Sequence, residues 1–176
     1  MDIKALLSLM RKRKSIRSFM RNKKISSSDV QLILEAGRTA PSAGNMQTWH
    51  FFIIRDEHKK KAIVSAAYGQ SFIAQAPLVI VTAIDKRQAM RRYGSRGVTL
   101  YGIQDTAAAN EHILLAARAL GIGSCWIGAF SEEELEKALD IDRDQYRTVA
   151  IIPIGYSDET PPDRGRMSID SIVTEL

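Results

Sequence analysis

Apolar residues recur at helical spacing at Ile3, Leu6, Leu7 and Met10, behind Asp2 as a possible cap, and predict an amphipathic first helix running into a basic segment. Val30, Ile33 and Leu34 give the buried stripe of a second helix, opened by Ser28 and Gln31 at capping-box spacing and ending near Gly37. Trp49 to Ile54 reads as the first strand, and residues 57–67 as a short charged helix. Residues 78–84, LVIVTAI, show no polar position before Thr82, which predicts a strand buried on both faces. Segment 85–101 is polar and basic, with Gly94 and Gly97, and fits either an exposed loop or a mobile cover.

The longest helix is expected over 103–120. Ala107, Ala108, Ala109, Ile113, Leu114, Leu115, Ala116 and Ala117 cover more than one of its faces, so it is either a central core helix or one shared with a second subunit. Gly121 ends it, SCWIG (124–128) reads as a short strand, Ser131 and Glu134 open another capped helix to Leu139, and TVAIIPIG (148–155) is the last core strand. The tail from Ser157, with Pro161 and Pro162, is expected to leave the body as an extended arm over 157–176. By itself, this strand and helix alternation points to a parallel, doubly wound sheet.

Between the second helix and the first strand lies APSAGNMQTW. Gly37 is placed to close the helix in a left-handed turn, and Pro41 prevents its resumption. Ser42, Ala43, Gly44 and Asn45 carry so little bulk that backbone N–H groups could approach a ligand closely, although the same residues also make an ordinary surface connection.

At 176 residues and 45% apolar composition, the chain is expected to be a single domain spanning 1–176. It has no apolar run of membrane-spanning length, and the charges of MDIKALLSLMRKRK follow the apolar stretch, the reverse of a signal peptide; a cytoplasmic protein without a membrane partner is expected. A single cysteine, Cys125, excludes an intrachain disulfide and reads as a small buried hydrophobe, and three scattered histidines give no metal site. The net charge of +5 is local: residues 11–24 hold eight Lys or Arg and no acid, which leaves 17 bases against 20 acids elsewhere. Such a cluster fits a defined anion, either a phosphate or a nucleic-acid backbone. Arg13, Ser15 and Arg17 stand at alternate positions that could grip one phosphate, or simply form a solvated basic turn.

RKSIRSF (13–19), APSAGNMQTWHFFII, AQAPLVIV (74–81), the stretch from Asp105 through AARALGIGSCWIGAF, PIGYSDE and PPDRGR, in this order, resemble the flavin-dependent nitroreductase family over nearly the whole chain. The resemblance implies an α+β fold with a mostly antiparallel central sheet flanked by helices, in a homodimer whose sheets are extended by the partner's arm. It implies FMN at the dimer interface, with its phosphate held by Arg13, Lys14, Ser15 and Arg17 together with Arg164 and Arg166. Pro41, Ser42, Ala43 and Asn45 would approach the flavin from the other subunit, Gln70 would meet the pyrimidine edge, and the backbone of Gly128 and Ala129 would face flavin N5, where a neutral donor suits hydride chemistry.

NAD(P)H would reduce the flavin and leave before a nitroaromatic or quinone-like acceptor enters, in a ping-pong cycle. GIGSCW (121–126) lacks the third glycine of a dinucleotide fingerprint and precedes a strand, so no separate nucleotide fold is expected. Thr48 stands where the family often has proline, Gly128 where larger members carry an acid, and the chain is short where longer relatives cover the site; the compact form favours a general reductase. Two competing readings are a nucleic-acid-binding module using 11–24, which has one aromatic residue, Phe19, and no recognition motif, and a flavin carrier without turnover.

Overall fold

The computed structural model describes residues 2–176. Four strands, β1 (Trp49–Ile54), β2 (Leu78–Asp85), β3 (Gly123–Ser124) and β4 (Tyr146–Gly155), form one sheet in the order β1-β2-β4-β3, with every pairing antiparallel. This is the α+β arrangement and not the parallel sheet that alternation alone suggests. The reason lies in the connection: residues 55–77, which include α3 (Glu57–Ala66), start and finish at the same end of the sheet, so β2 begins beside the residue where β1 stops, Ile54 against Val79.

β2 is buried from Leu78 to Ile84, as an apolar run interrupted only by Thr82 requires. Its two faces serve two cores. Val79 and Val81 pack with Ile151 under α3 and α6 (Glu132–Leu139), while Leu78 and Ile80 pack with Ile152 and Ile154 under α2 (Ser27–Arg38) and α5 (Gly102–Ala119).

Several local expectations are corrected. Ser26, not Ser28, caps α2 by accepting from Asp29 N–H at 3.0 Å, because Asp29 then also lies in the first turn, where its charge suits the helix dipole. Gly37 lies inside α2 and is buried; its role is close packing, since an added Cβ would sit 2.9 Å from Ile113 Cγ1 and 3.2 Å from Phe51 Cζ. Gly37→Val is therefore expected to cost about 1–3 kcal/mol, read as a lower urea midpoint at unchanged slope. Segment 85–101 is neither a loop nor detached: α4 (Lys86–Arg96), capped by Asp85, continues through a π-helical turn at Gly97–Tyr101 into α5. SCWIG pairs only at Ser124 and Ile127 and is otherwise irregular.

Apolar surface remains open in specific places. The first helix, α1 (Ile3–Lys12), buries no residue, and Ile3, Leu7 and Met10 stay exposed. The arm beyond Gly155 forms no strand, and Met167, Ile169, Ile172 and Val173 stand more than half exposed. A groove of about 830 Å³ runs along edge strand β1 between Leu32, Leu34, Trp49 and Phe51. No described helix is long and apolar enough to cross a membrane, and no group of described His, Cys, Asp or Glu is placed to hold a metal ion.

Candidate functional site

The segment after α1 lies along the sheet's far edge: Ser15 bridges Ser124 in parallel, Ile16 N–H donates to Ser124 O at 2.9 Å, and Met20 N–H donates to Tyr156 O at 2.9 Å. That placement brings residues 13–17 to the root of the arm. Arg13, Lys14, Ser15, Arg17, Arg164 and Arg166 line one recess of about 190 Å³, with Glu159, Pro161 and Pro162. Residues 150 positions apart in sequence thus converge, and the recess holds five cations against one carboxylate.

The acids have identifiable tasks. Glu159 Oε2 accepts from Arg17 N–H at 2.7 Å and Ser18 N–H at 2.9 Å, fastening the arm to the basic segment. Asp163 Oδ1 meets Lys14 Nζ at 2.8 Å; that ammonium first, and Gly165 N–H second, hold the Asp163 carboxyl below its usual range. Lys14 therefore tethers the arm to the basic segment. Among the described residues, Arg13, Arg17, Arg164 and Arg166 make no ion pair, Arg166 donating only to Gly165 O, which leaves four guanidinium charges without a carboxylate partner.

Directly beneath lies Cys125, 1% exposed. Burial pushes its thiol up, opposed chiefly by the nearby charge of Arg17. With the folded-state value raised, the neutral thiol stabilises the fold at neutral pH, and that contribution is lost as pH rises through the folded value. Iodoacetamide at pH 7.5 is expected to leave native Cys125 unmodified over hours while labelling urea-unfolded chains within minutes, read by mass spectrometry.

Past Cys125 the edge continues to Ile127, whose N–H donates to Ile151 O at 2.9 Å, and then Gly128 and Ala129 leave the sheet and stand exposed. A Cβ on Gly128 would meet nothing within 4 Å, and neither residue's N–H has a protein acceptor among the described residues. Gln70 donates through Nε2 to Ala129 O at 3.0 Å, so it belongs to the same strip. The strip runs from the recess, past Ser15 and Cys125, to two free backbone donors beside open space and an amide at their side.

The 41–45 loop stands apart; among the described residues no hydrogen bond joins it to this strip. Gly44, Asn45 and Gln47 have φ of 55°, 55° and 50°, which tightens the loop into a 3-10 turn. Its hold on the body is Asp105 of α5: Ala43 N–H donates to Oδ1 at 2.8 Å and Thr48 Oγ1 to Oδ2 at 3.4 Å. Thr48, 2% exposed, thus has a use that a proline could not supply. Ser42 Oγ accepts from Gln47 N–H at 2.9 Å, and α4 covers the other side, with Gln88 donating to Met46 O and Arg92 to Gly44 O at 3.2 Å. Pro41, Ser42, Ala43 and Asn45 therefore form a preorganised surface, but not one that meets the recess of the same chain.

Sequence reasoning missed Glu159, Asp163 and the fastening role of Asp105, and left open whether 85–101 is a loop or a cover. Only Asp105 carried a signal, as the start of a matching stretch; the others act through contacts 40 to 150 positions away in the chain, which no local pattern shows.

The sequence profile of the nitroreductase family matches residues 10–71 and 64–156. A protein of Archaeoglobus fulgidus, provisionally named an NADH dehydrogenase/NAD(P)H nitroreductase, is 42% identical over 134 residues, covering 76% of this chain and 72% of its own length. Among solved structures, a provisionally named nitroreductase of Desulfovibrio desulfuricans in complex with FMN superposes with a TM-score of 0.86 at 28% identity, covering 97% of this chain and 96% of that one. At the level of fold alone, the NADPH:FMN oxidoreductase of Vibrio harveyi, solved with NAD+, gives a TM-score of 0.87 at 23% identity over 96% of this chain and 76% of that one. With both the profile and a relative of this identity matching most of its length, the chain belongs to the nitroreductase family.

Proposed function

We propose that this protein is an NAD(P)H-dependent FMN oxidoreductase that passes reducing equivalents to nitroaromatic or quinone-like acceptors by a ping-pong cycle, as a homodimer with two flavin sites. The observation that carries the reading is the recess: four unpaired arginines and Ser15 around a volume of about 190 Å³ fit the nearly dianionic phosphate of FMN, and a strip with free donors leads away from it. When bound, FMN supplies reversible two-electron chemistry that no side chain of this protein offers.

The chain's own residues perform the rest. Arg13, Ser15, Arg17, Arg164 and Arg166 hold the phosphate. Gln70, whose Nε2 is given to Ala67 O and Ala129 O, presents its Oε1 as an acceptor to an edge of the ring system, and the N–H groups of Gly128 and Ala129 stabilise negative charge arising beside them, while the absent side chain at 128 leaves the reacting face open. The 41–45 loop completes the pocket from the second copy, which explains why it is rigid yet does not meet the recess of its own chain. The exposed face of α1, the exposed apolar arm and the open groove on edge strand β1 are the surfaces that such a dimer buries, the arm lying against the partner's β1.

The arrangement of the basic segment also favours this reading over nucleic-acid binding: Lys14 is paired to Asp163, Lys23 covers the Tyr156 ring at 4.0 Å, and the arginines gather around one recess beside the arm. In the decisive experiment, purified protein is expected to carry yellow flavin whose absorbance is bleached anaerobically by NADH or NADPH and restored by menadione. Protein that stays colourless after mixing with FMN would refute the flavin site, and flavin that stays oxidised under both nucleotides would make it a carrier.

A further inference from the structure

Residues 86–96 carry Lys86, Arg87, Arg91, Arg92 and Arg96 and no acid. Two of these charges are engaged at the helix start, Arg87 with Asp142 at 3.4 Å and Lys86 with the Arg143 carbonyl. Arg91, Arg92 and Arg96 have no carboxylate partner among the described residues and are exposed. They are interleaved with aromatic rings: Tyr93 and Tyr101 meet edge to face at 4.9 Å, Arg92 lies 5.5 Å from the Tyr93 ring, and Arg96 lies 5.3 Å from the Tyr101 ring and donates to its hydroxyl at 2.9 Å.

This cluster has a defined address. Arg92 donates to Gly44 O at 3.2 Å, and the Tyr93 hydroxyl would lie 2.5 Å from any Cβ on Gly44, so the cluster forms the outer wall of the loop assigned to the flavin. A solvated helix face would not need its tyrosines ordered by guanidinium groups at a place where the backbone is drawn to left-handed φ. Gly94 (φ 55°, ψ −145°) breaks the helix within the cluster, and the π-helical turn after it brings Tyr101 back beside Tyr93.

We infer that the Arg91, Arg92, Arg96, Tyr93 and Tyr101 cluster on α4 and the following π turn is the docking site for the adenosine-phosphate end of the pyridine nucleotide, and that it selects NADPH over NADH. Aromatic rings with interleaved arginines suit a purine and its phosphates. A pyrophosphate alone carries two negative charges, and the 2′-phosphate adds nearly two more, so three unpaired guanidinium groups without a neighbouring acid favour the more highly charged donor. The inference rests on the reading that the 41–45 loop faces bound FMN, and its test separates the two.

The test uses the FMN-loaded protein with three hydride donors: NADPH, NADH and reduced nicotinamide mononucleotide, which lacks the adenosine end. Exposed charge-assisted contacts of this kind are each expected to be worth roughly 3- to 10-fold. Arg91→Gln/Arg96→Gln should therefore lower kcat/KM for NADPH by roughly 10- to 100-fold, through KM, and for the mononucleotide by less than about twofold. Calorimetry gives a readout independent of turnover: adenosine 2′,5′-bisphosphate should bind the parent more tightly than 5′-ADP, more weakly as salt rises, and more weakly still to the variant. Arg91→Gln alone, which removes a side chain in no hydrogen bond of the fold, guards against damage by the double change. Equal losses for NADPH and the mononucleotide, or unchanged NADPH kinetics, would overturn the inference while leaving the flavin reading intact. Flavin of the parent that none of the three donors reduces would defeat that reading instead.

Discussion

Arg17→Ala is expected to weaken FMN binding by roughly 10- to 150-fold and riboflavin binding by no more than a few-fold, because a charge-assisted contact to phosphate contributes about 1.5–3 kcal/mol and riboflavin has no phosphate. Arg17 is the residue to choose because its side chain lines the recess without an ion-pair partner, while its backbone N–H holds Glu159 and survives the substitution. Parent affinity for FMN should fall as salt rises, and riboflavin affinity should not. Lys14→Ala makes a useful contrast: its ammonium is already paired with Asp163, so it should cost FMN binding less than Arg17 does. Equal losses of FMN and riboflavin on removing Arg17 would place that side chain in support of the fold or the ring, and would remove it from the clamp.

Deleting residues 167–176 is expected to weaken the proposed dimer by at least about 100-fold, seen as monomer at micromolar concentration by sedimentation. Met167, Ile169, Ile172 and Val173 lie exposed along this stretch, and burying such side chains fully contributes about 1.5–3 kcal/mol each before the cost of ordering the arm. Even if ordering cancels half of that sum, more than the 2.7 kcal/mol of a hundredfold change remains. The truncation ends after Arg166, so the recess keeps every arginine. A truncated chain that dimerises like the parent would show that the arm packs elsewhere.

The legible and illegible parts of this molecule divide by the range of the forces involved. β2 could be read directly because a strand buried on both faces must be apolar throughout, and α5 because its apolar positions repeat over five turns. Gly37 was misread because a glycine near a helix end has two uses, left-handed closure and close packing, and only the position of Ile113 decides between them. Segment 85–101 was ambiguous because α4 owes its place to side chains bonded to the 44–46 backbone, so its own sequence looks like any solvated stretch. Sheet direction was equally hidden: antiparallel pairing follows from the 55–77 connection returning to the end of β1 where it began, and alternation of elements cannot record that.

Of the site, Arg13, Ser15, Arg17, Arg164 and Arg166 were nameable through the family resemblance, and the structure brings them to one recess. Gln70 and Ala129 were named separately and are found joined by a hydrogen bond. The tethers Glu159 and Asp163 were not nameable, since an acid inside a cationic clamp opposes the ligand and makes sense only as a fastening for the arm.

The central claim is that each flavin site takes its phosphate clamp from one subunit and its 41–45 loop from the other, and subunit mixing tests it most directly. Arg17→Ala disables the clamp, and Gly44→Val disables the loop, because valine cannot hold φ at 55° and its side chain would collide with Arg92 and Tyr93. Each variant alone should bind FMN poorly. When the two are unfolded together and refolded, about half of the dimers are mixed, and each mixed dimer pairs one sound clamp with one sound loop. About one site in four should then recover parent-like FMN affinity and NADPH-dependent bleaching. No recovery on mixing, with both variants folded and dimeric, would contradict the account, because a site contained within one chain would be defective in every combination.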